Sequence, residues 1–467
     1  MRIESIVKHY EKLAESRDKF RQKNLYYYHA LTHQYQYFIP EGKKVLEVGC
    51  STGDLLAALK PSYGVGVDVS AKVVDIAKRK YPNLNFFVGM IEAIPTDEKF
   101  DYIVLEGFLN EQEDIESFLK SLKRFCSDDT RIIIEYYSYF WQMLLKGAEA
   151  IGSKLPQLEQ NWLTANDISN FLDLSGYQYI KAERSILLPL NFWGIGWFVN
   201  KFIAKLPLIN ACTLNHFVIA RPLFERKRDF SVTIFIPCRN EKGNIEQAIV
   251  RTPTFGSRQE FIFVEGWSKD GTYEEIERVI KKYPEKDIKL YRQTGKGKGD
   301  AVRLGFSKAS GEILMILDAD LTVPPEDLPK FYDAIKFNKG EFINGSRLVY
   351  PMENKAMQFL NLVANHLFGI FFSWLLGQKF KDTLCGTKVM FRHHYEQLVA
   401  NRHYFGDFDP FGDFDLIFGA VKLNLKVIEM PIRYKSRSYG TTQIQRFRHG
   451  LLLFKMCWFA MKKIKFL

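Results

Sequence analysis

Residues 311–325 read GEILMILDADLTVPP, and few folds can accommodate such a stretch. Ile, Leu and Met fall on both parities of residues 312–317, which suits a strand covered on both faces, as in a parallel sheet. The run stops at Asp318 and Asp320, and two prolines then end it. At the carboxyl edge of such a sheet, Asp-x-Asp can hold a hard divalent cation that neutralises phosphate oxygens. The same acids ahead of Val-Pro-Pro-Glu-Asp also suit helix-start and turn chemistry. The stretch alone leaves both readings open.

A chain of 467 residues exceeds one core, so two or three domains are expected. Residues 221–229, RPLFERKRD, form a basic, polar bridge. We place the boundary there, giving domains 1–224 and 230–467. Lys and Arg number 65 against 54 Asp and Glu, a formal charge of +11. That balance suits phosphorylated ligands or an anionic membrane surface, and no nucleic-acid-binding signature accompanies it. The six cysteines are scattered, without Cys-x-x-Cys spacing, which fits a reducing, cytoplasmic setting. The N-terminus is charged and helix-like rather than an apolar signal core. Residues 356–377 are the most apolar window, but Gln358, Asn361, Asn365, His366 and Ser373 interrupt it. A spanning segment needs roughly 20 mostly apolar residues, so a buried or interfacial helix is expected there.

In the first half, residues 43–48 (KKVLEV) predict a short strand, followed by Gly49-Cys50-Ser51-Thr52-Gly53 and a helix from Asp54. A strand, a glycine turn and a helix start place backbone N–H groups around a ligand. The glycines fall as G-x-x-x-G, so the dinucleotide fingerprint is absent. A second strand, 64–67, ends in Asp68, where an acid commonly grips ribose hydroxyls. Further βα units follow: strands at 84–88, 100–105 and 131–135, and a helix over 111–125. VLEVGCSTGDLL, GVGVDVS and FDYIVLEG resemble the class I S-adenosylmethionine-dependent methyltransferases over roughly the first 220 residues. The resemblance implies a Rossmann-like α/β fold with S-adenosylmethionine as cofactor. Glu47, Gly49, Cys50 and Gly53 would line its methionine and ribose side, Asp68 would bind the ribose, and Glu106 would face the reacting methyl. Ser51 stands where that family usually has a second glycine. Met90 stands where many members hold adenine with an acid. A domain of this fold kept only for binding or scaffolding is the alternative.

Residues 177–184 and 215–221 are expected as the last antiparallel strands of that fold. Between them lies LLPLNFWGIGWFVNKFIAKLPLIN, read as a core helix pair or as an amphipathic membrane contact or acceptor lid.

The second half opens a new α/β series. Residues 231–236 form a strand ending in Pro237-Cys238-Arg239-Asn240-Glu241, with a helix from Asn244, and 260–264 form another, ending at Glu265. GKGKGDAVRLGF, with Lys296, Lys298 and Arg303, introduces a helix suited to diphosphate, although it is not a P-loop. IPCRNEKGNIE, VEGWSKDGTYEEI, GKGKGDAVRLGF, ILDADLTVPPEDL, NGSRLVY, DTLCGTKVMFR, IEMPIRYKSRSYGTTQI and RFRHG look like the family 2 glycosyltransferases of the GT-A (nucleotide-diphospho-sugar transferase) fold. The likeness extends to the polyprenyl-phosphate mannose or glucose synthases of that family. It implies that Pro237, Arg239, Asn240, Glu241 and Glu265 contact the nucleotide, with Lys298 near its phosphates. Asp318 and Asp320 would hold Mg2+ or Mn2+ on the diphosphate, and Arg347, Lys388 and Arg437 would attract an acceptor or donor phosphate. Within residues 407–415, DFDPFGDFD, Asp413 is the candidate general base for a sugar hydroxyl, with helix capping as the alternative. The tail, RFRHGLLLFKMCWFAMKKIKFL, reads as a basic interfacial helix or a core helix with a basic end.

The two resemblances together imply an inverting transferase moving a sugar from a UDP- or GDP-sugar to a polyprenyl phosphate or lipid-linked glycan, fused to a methyltransferase domain. Bacterial surface polysaccharide synthesis, peripheral to the cytoplasmic side of the inner membrane, is the expected setting. An assembly protein with inactive sites is the remaining alternative.

Overall fold

The computed structural model describes residues 2–158, 160–350, 359–404, 412–437, 439–440 and 454–466. The chain divides between Phe224 and Glu225 into two compact units. In the first, seven strands form one sheet: β1 (Lys44–Val48), β2 (Tyr63–Asp68), β3 (Asn85–Val88), β4 (Tyr102–Glu106), β5 (Arg131–Tyr137), β6 (Tyr177–Ser185) and β7 (Asn215–Pro222). Their order is β3-β2-β1-β4-β5-β7-β6, with β7 antiparallel to both β5 and β6. Strand order reverses between β1 and β4, so a ligand is expected in the crevice beyond their carboxyl ends. Val45, Leu46, Ile103, Val104, Ile132 and Ile133 are fully buried, as strands covered on both faces require.

Two helices precede the sheet, α1 (Arg2–Lys23) and α2 (Leu25–Phe38). The aromatic-rich α2 lies on the sheet, with Tyr35 and Phe38 packing edge-on against Phe217 of β7. The helix expected over 111–125 is shorter. It runs Ile115–Leu122 between 3-10 turns at Phe108–Glu111 and Lys123–Phe125. Asp114 sets its start by accepting the Ser117 N–H at 2.9 Å, a capping bond that a periodicity reading passes over.

The second unit carries β8 (Val232–Cys238), β9 (Gln259–Glu265), β10 (Asp287–Arg292), β11 (Ile313–Ile316), β12 (Phe342–Ser346), β13 (Lys388–Phe391) and β14 (Val427–Pro431). Their order is β10-β9-β8-β11-β13-β12-β14. The first four are parallel, and β13 runs antiparallel between β11 and β12. All four residues of β11 are buried, which accounts for its unbroken apolar run. Both α/β sheets expected from the sequence are thus present.

Residues Phe359–Leu376 are helical, with Phe372, Leu375 and Leu376 buried and Leu367 and Ile370 exposed. Among the described residues, no helix is long and apolar enough to cross a membrane. In the tail, Met456, Cys457 and Ala460 are buried while Phe454 and Trp458 are exposed. Residues 405–411, which overlap the acid-rich 407–415 stretch, and 441–453, with the RFRHG segment, lie outside the described residues.

Candidate functional site

In the first unit, the carboxyl ends of β1, β2, β4 and β5 open into a cavity of about 760 Å³. Gly49 (φ 75°) and Ser51 (φ 51°) turn the chain away from β1, and a Cβ on Gly49 would lie 2.9 Å from the Phe108 ring. The Asp68 carboxylate secures this turn, accepting the N–H groups of Ser51 and Ser70, each at 3.0 Å. Burial raises the Asp68 carboxyl above its ordinary range against those bonds.

Of the residues named for the cofactor, Glu47, Gly49, Cys50, Asp68, Met90 and Glu106 line this cavity. Gly53 does not. It adopts φ 77°, and a Cβ there would lie 2.6 Å from the Phe86 ring, so it serves close helix–sheet packing. Glu47 is buried, and its Oε2 has no hydrogen-bond partner. An unpaired buried carboxylate oxygen is costly, and an ammonium or hydroxyl donor on a ligand would satisfy it. The residues present therefore fit S-adenosylmethionine, which carries an α-ammonium and two ribose hydroxyls.

Part of this wall carries no sequence motif. Tyr10, Arg17 and Arg21 from α1 and Tyr28 from α2 line the same cavity. Tyr10 OH donates to Glu111. Glu135, read only as a strand end, stands opposite Glu106 in the parallel β4–β5 register. Its Oε1 accepts the Asn215 side-chain amide at 2.6 Å. Burial first, and the Glu106 carboxylate second, push Glu135 up to about 8. Between its ordinary value of 4.5 and about 8, the folded state holds a proton that the unfolded chain releases, so stability falls as pH rises through that window. Glu135→Gln should therefore melt higher than the parent protein above about pH 8, by up to about 5 kcal/mol in stability. The difference should shrink towards acid pH in thermal melts across the range. A pH-independent difference would rule this out.

In the second unit, the strand register brings the named residues to one edge. Cys238 of β8 and Arg292 of β10 both pair with Glu265 of β9. Antiparallel β13 begins at Lys388, which pairs with Asn344 on β12. Asn240 (φ 56°) and Trp267 (φ 57°) turn the chain beyond β8 and β9. The two loops are stitched together: Asn240 N–H donates to Ser268 Oγ and Lys269 N–H to Asn240 Oδ1, both at 2.9 Å. Glu265 is buried and accepts the Ser268 N–H. Arg239 is exposed at this rim, beside half-buried Pro237. Arg292 lies over the Trp267 ring at 4.8 Å, an exposed stacking surface that no motif announces.

Both acids at the end of β11 meet cations. Lys298 Nζ donates to Asp318 Oδ1 at 2.6 Å. Arg437 bridges two carboxylates, donating to Asp320 Oδ2 at 2.6 Å and Glu241 Oε1 at 2.9 Å. Burial opposes the charge on Lys298, yet Asp318, Asp413 and Asp320 hold its ammonium above the usual range. Burial would likewise raise Asp318, but Lys298, and then Lys388 and Arg347, hold it below the ordinary carboxylate value. Glu241 is pushed up to about 7 by burial, against the pull of Arg437. A methyl group at Gly386 would overlap the Asp318 carboxylate, so glycine there keeps that oxygen clear. Two hard carboxylates one residue apart, one of them kept clear in this way, fit Mg2+ or Mn2+.

The remaining basic residues are engaged within the unit. Arg347 grips buried Asp382 through two bonds, Nε–Oδ2 at 2.7 Å and Nη2–Oδ1 at 2.8 Å. Lys388 is buried, donates to the Cys385 carbonyl and lies 3.1 Å from Asp413 Oδ1. Asp413 opens the Asp413–Lys422 helix but is not its cap, since Gly412 occupies that position.

Residues 39–175 match the family model described as a methyltransferase domain, and residues 233–400 match that of glycosyl transferase family 2. A dolichol-phosphate mannosyltransferase of Pyrococcus furiosus is 39% identical over 120 residues, covering 25% of this chain and 33% of that relative. Its Saccharomyces cerevisiae counterpart is 32% identical over 108 residues, 22% of this chain and 40% of the relative. The chain thus matches less than half the length of either. Among solved structures, a Thermotoga maritima S-adenosylmethionine-dependent methyltransferase aligns at 16% identity and TM-score 0.36, covering 46% of this chain and 98% of that one. Glucosyl-3-phosphoglycerate synthase from Mycobacterium tuberculosis aligns at 16% identity and TM-score 0.37, covering 50% and 80%. The chain joins a methyltransferase domain to a family 2 glycosyltransferase domain.

Proposed function

We propose that the second unit transfers a sugar, with inversion, from a UDP- or GDP-sugar to a polyprenyl phosphate or lipid-linked glycan, and that the first unit transfers a methyl group. The observation that carries the sugar-transfer reading is the group of Asp318, Asp320, Lys298 and Arg437 at one strand edge. Local identity to two dolichol-phosphate mannosyltransferases supports the acceptor class. A divalent cation on Asp318 and Asp320 would supply Lewis-acid stabilisation of the leaving diphosphate. Lys298 and Arg437 neutralise those acids in the free protein and would face the diphosphate once a cation takes over that charge. Pro237, Arg239, Asn240, Glu241 and Glu265 would form the nucleotide end. An ionised phosphate acceptor needs no base, whereas a sugar hydroxyl does. Asp413, whose buried Oδ1 lacks an aligned hydrogen bond and lies 3.1 Å from Lys388 Nζ, would serve as the base in that second case. Incubation with nucleotide-sugars, Mn2+ and a short polyprenyl phosphate tests the reading, and absence of sugar-lipid product across UDP and GDP donors would refute it.

For methyl transfer, Asp68 and the Gly49 turn would hold the cofactor's ribose and methionine portions, with Glu47 receiving its ammonium. S-adenosylmethionine would supply the electrophilic methyl group, and Glu106 and Glu135 would flank the acceptor side. Asp68→Asn should weaken S-adenosylmethionine binding about 10–100-fold, the loss expected for a charged hydrogen bond, read by calorimetry. Equal affinity in that variant would remove Asp68 from the site. Both activities would serve surface polysaccharide synthesis at the cytoplasmic face of a bacterial inner membrane, with the protein peripheral to it.

A further inference from the structure

The insert between β6 and β7 is anchored through Asn200. Asn200, on the Ile195–Lys201 helix, turns towards the unit. Its Oδ1 accepts the N–H groups of Leu187 and Leu188 at 2.7 and 2.9 Å, and its amide donates to the Leu188 carbonyl and Tyr26 OH. The aromatic side chains face out. Phe192, Ile195, Trp197 and Phe198 are more than half exposed, Trp193 is fully exposed, and Leu208 is 89% exposed. Trp193 and Leu208 adopt φ 51° and 70°, a cost for bulky residues that here presents apolar groups to solvent.

A second apolar segment adjoins the first. Tyr139, Phe140, Met143, Leu144 and Ile151 are exposed, Met143 at 79% and Ile151 at 81%. The Trp141 indole N–H ties this segment to the insert by donating to the Cys212 carbonyl at 2.8 Å. Leu144 and Leu190, one from each segment, also line the first unit's cavity. The exposed apolar surface therefore rims the cavity mouth. Patches this extensive mark interaction sites rather than ordinary surface.

Charge selects the occupant. Residues 187–212 contain no Asp or Glu; half-exposed Lys201 lies 5.2 Å from the Trp197 ring, Lys205 turns inward to donate to the Arg184 carbonyl at 3.2 Å, and Lys146 is exposed on the other segment. Glu149, the acid of that segment, is held by Lys154 at 2.7 Å. Tryptophan, phenylalanine and leucine flanked by lysine suit the headgroup–acyl boundary of an anionic bilayer. We propose that this face docks on an anionic lipid bilayer, so that the methyl-transfer cavity opens towards the membrane and receives a lipid-linked acceptor. Docking stands independently of methyl transfer, while the acceptor's class rests on the methyltransferase reading above.

The test uses the full chain and vesicles of phosphatidylcholine, alone or mixed with phosphatidylglycerol, without cofactor or nucleotide. Co-sedimentation with the anionic vesicles should exceed that with the neutral ones, and tryptophan fluorescence should shift to the blue and be quenched by brominated acyl chains. Trp193→Ala combined with Trp197→Ala should lower vesicle affinity at least about tenfold, the scale for removing a large buried apolar group. Ile151→Ser, on the other segment, should lower it independently. Both variants should retain S-adenosylmethionine affinity in calorimetry, which reports folding and the cofactor site separately from docking. Vesicle binding unchanged in both variants would overturn the proposal. So would sedimentation showing a dimer that the double variant converts to monomer, because a second copy would then cover this face.

Discussion

Asp320→Ala is expected to lower sugar transfer on the order of 10³-fold while the protein remains folded. The effect follows from charge. Asp320 sits beyond the end of a fully buried strand, with Arg437 at 2.6 Å and Asp318 two residues before it. Deleting one carboxylate leaves a single acid to hold a divalent cation, and Arg437 keeps its second partner, Glu241, at 2.9 Å. The local fold therefore retains an ion pair, and the loss should fall on kcat and on the metal concentration needed for half-maximal rate. A Mn2+ titration of transfer separates this from simple damage, and thermal melting should show little change. Lys298→Met should act differently. Its ammonium pairs with Asp318, so its removal should weaken nucleotide-sugar binding more than metal binding. Metal-dependent transfer persisting at parental rate in Asp320→Ala would remove the carboxylate pair from the site.

The same strand edge shows which parts of the structure were legible in the sequence. β11 could be read because a strand buried on both faces has no polar alternation to obscure it. Asp318 and Asp320 follow it directly, so their placement came with the strand. Glu47, Gly49 and Asp68 were legible for the same reason. Glu135 was not singled out, because a glutamate at the end of an apolar run looks like any strand terminus. Only its register with Glu106 and the cover provided by α2 reveal its surroundings. The α1 residues that wall the cavity precede the first strand by a whole further helix, and periodicity predicts a helix there but not what it covers. Arg347 had a visible charge and an invisible partner, since Asp382 lies 35 residues away in sequence. The aromatic insert could be read as core or surface, because composition does not say which way a side chain points.

That hidden partner sets the second large effect. Asp382→Ala should destabilise the second unit by about 3–5 kcal/mol, the range for breaking a buried ion pair from one side. Asp382 is fully buried and accepts four donors: Arg347 Nε and Nη2, the Arg347 N–H at 3.0 Å and the Leu384 N–H at 3.1 Å. Burial alone would raise its carboxyl, but Arg347 holds it below the ordinary carboxylate range. With a depressed folded value, its contribution is present above the unfolded value and is lost as pH falls through the folded one. Asp382→Ala should therefore differ most from the parent protein near neutrality and least in strong acid. Arg347→Met should cost less, because Asp382 keeps its two backbone donors while the Arg347 side chain's place over Tyr434, 5.3 Å away, is filled by an apolar chain. Urea unfolding of both single variants and the double variant gives the coupling energy. If Asp382→Ala left unfolding unchanged yet abolished sugar transfer, the pair would belong to phosphate recognition rather than to the fold. If it lowered stability as expected while the surviving folded fraction still turned over, Arg347 would act by fixing the end of β12 instead of by touching substrate.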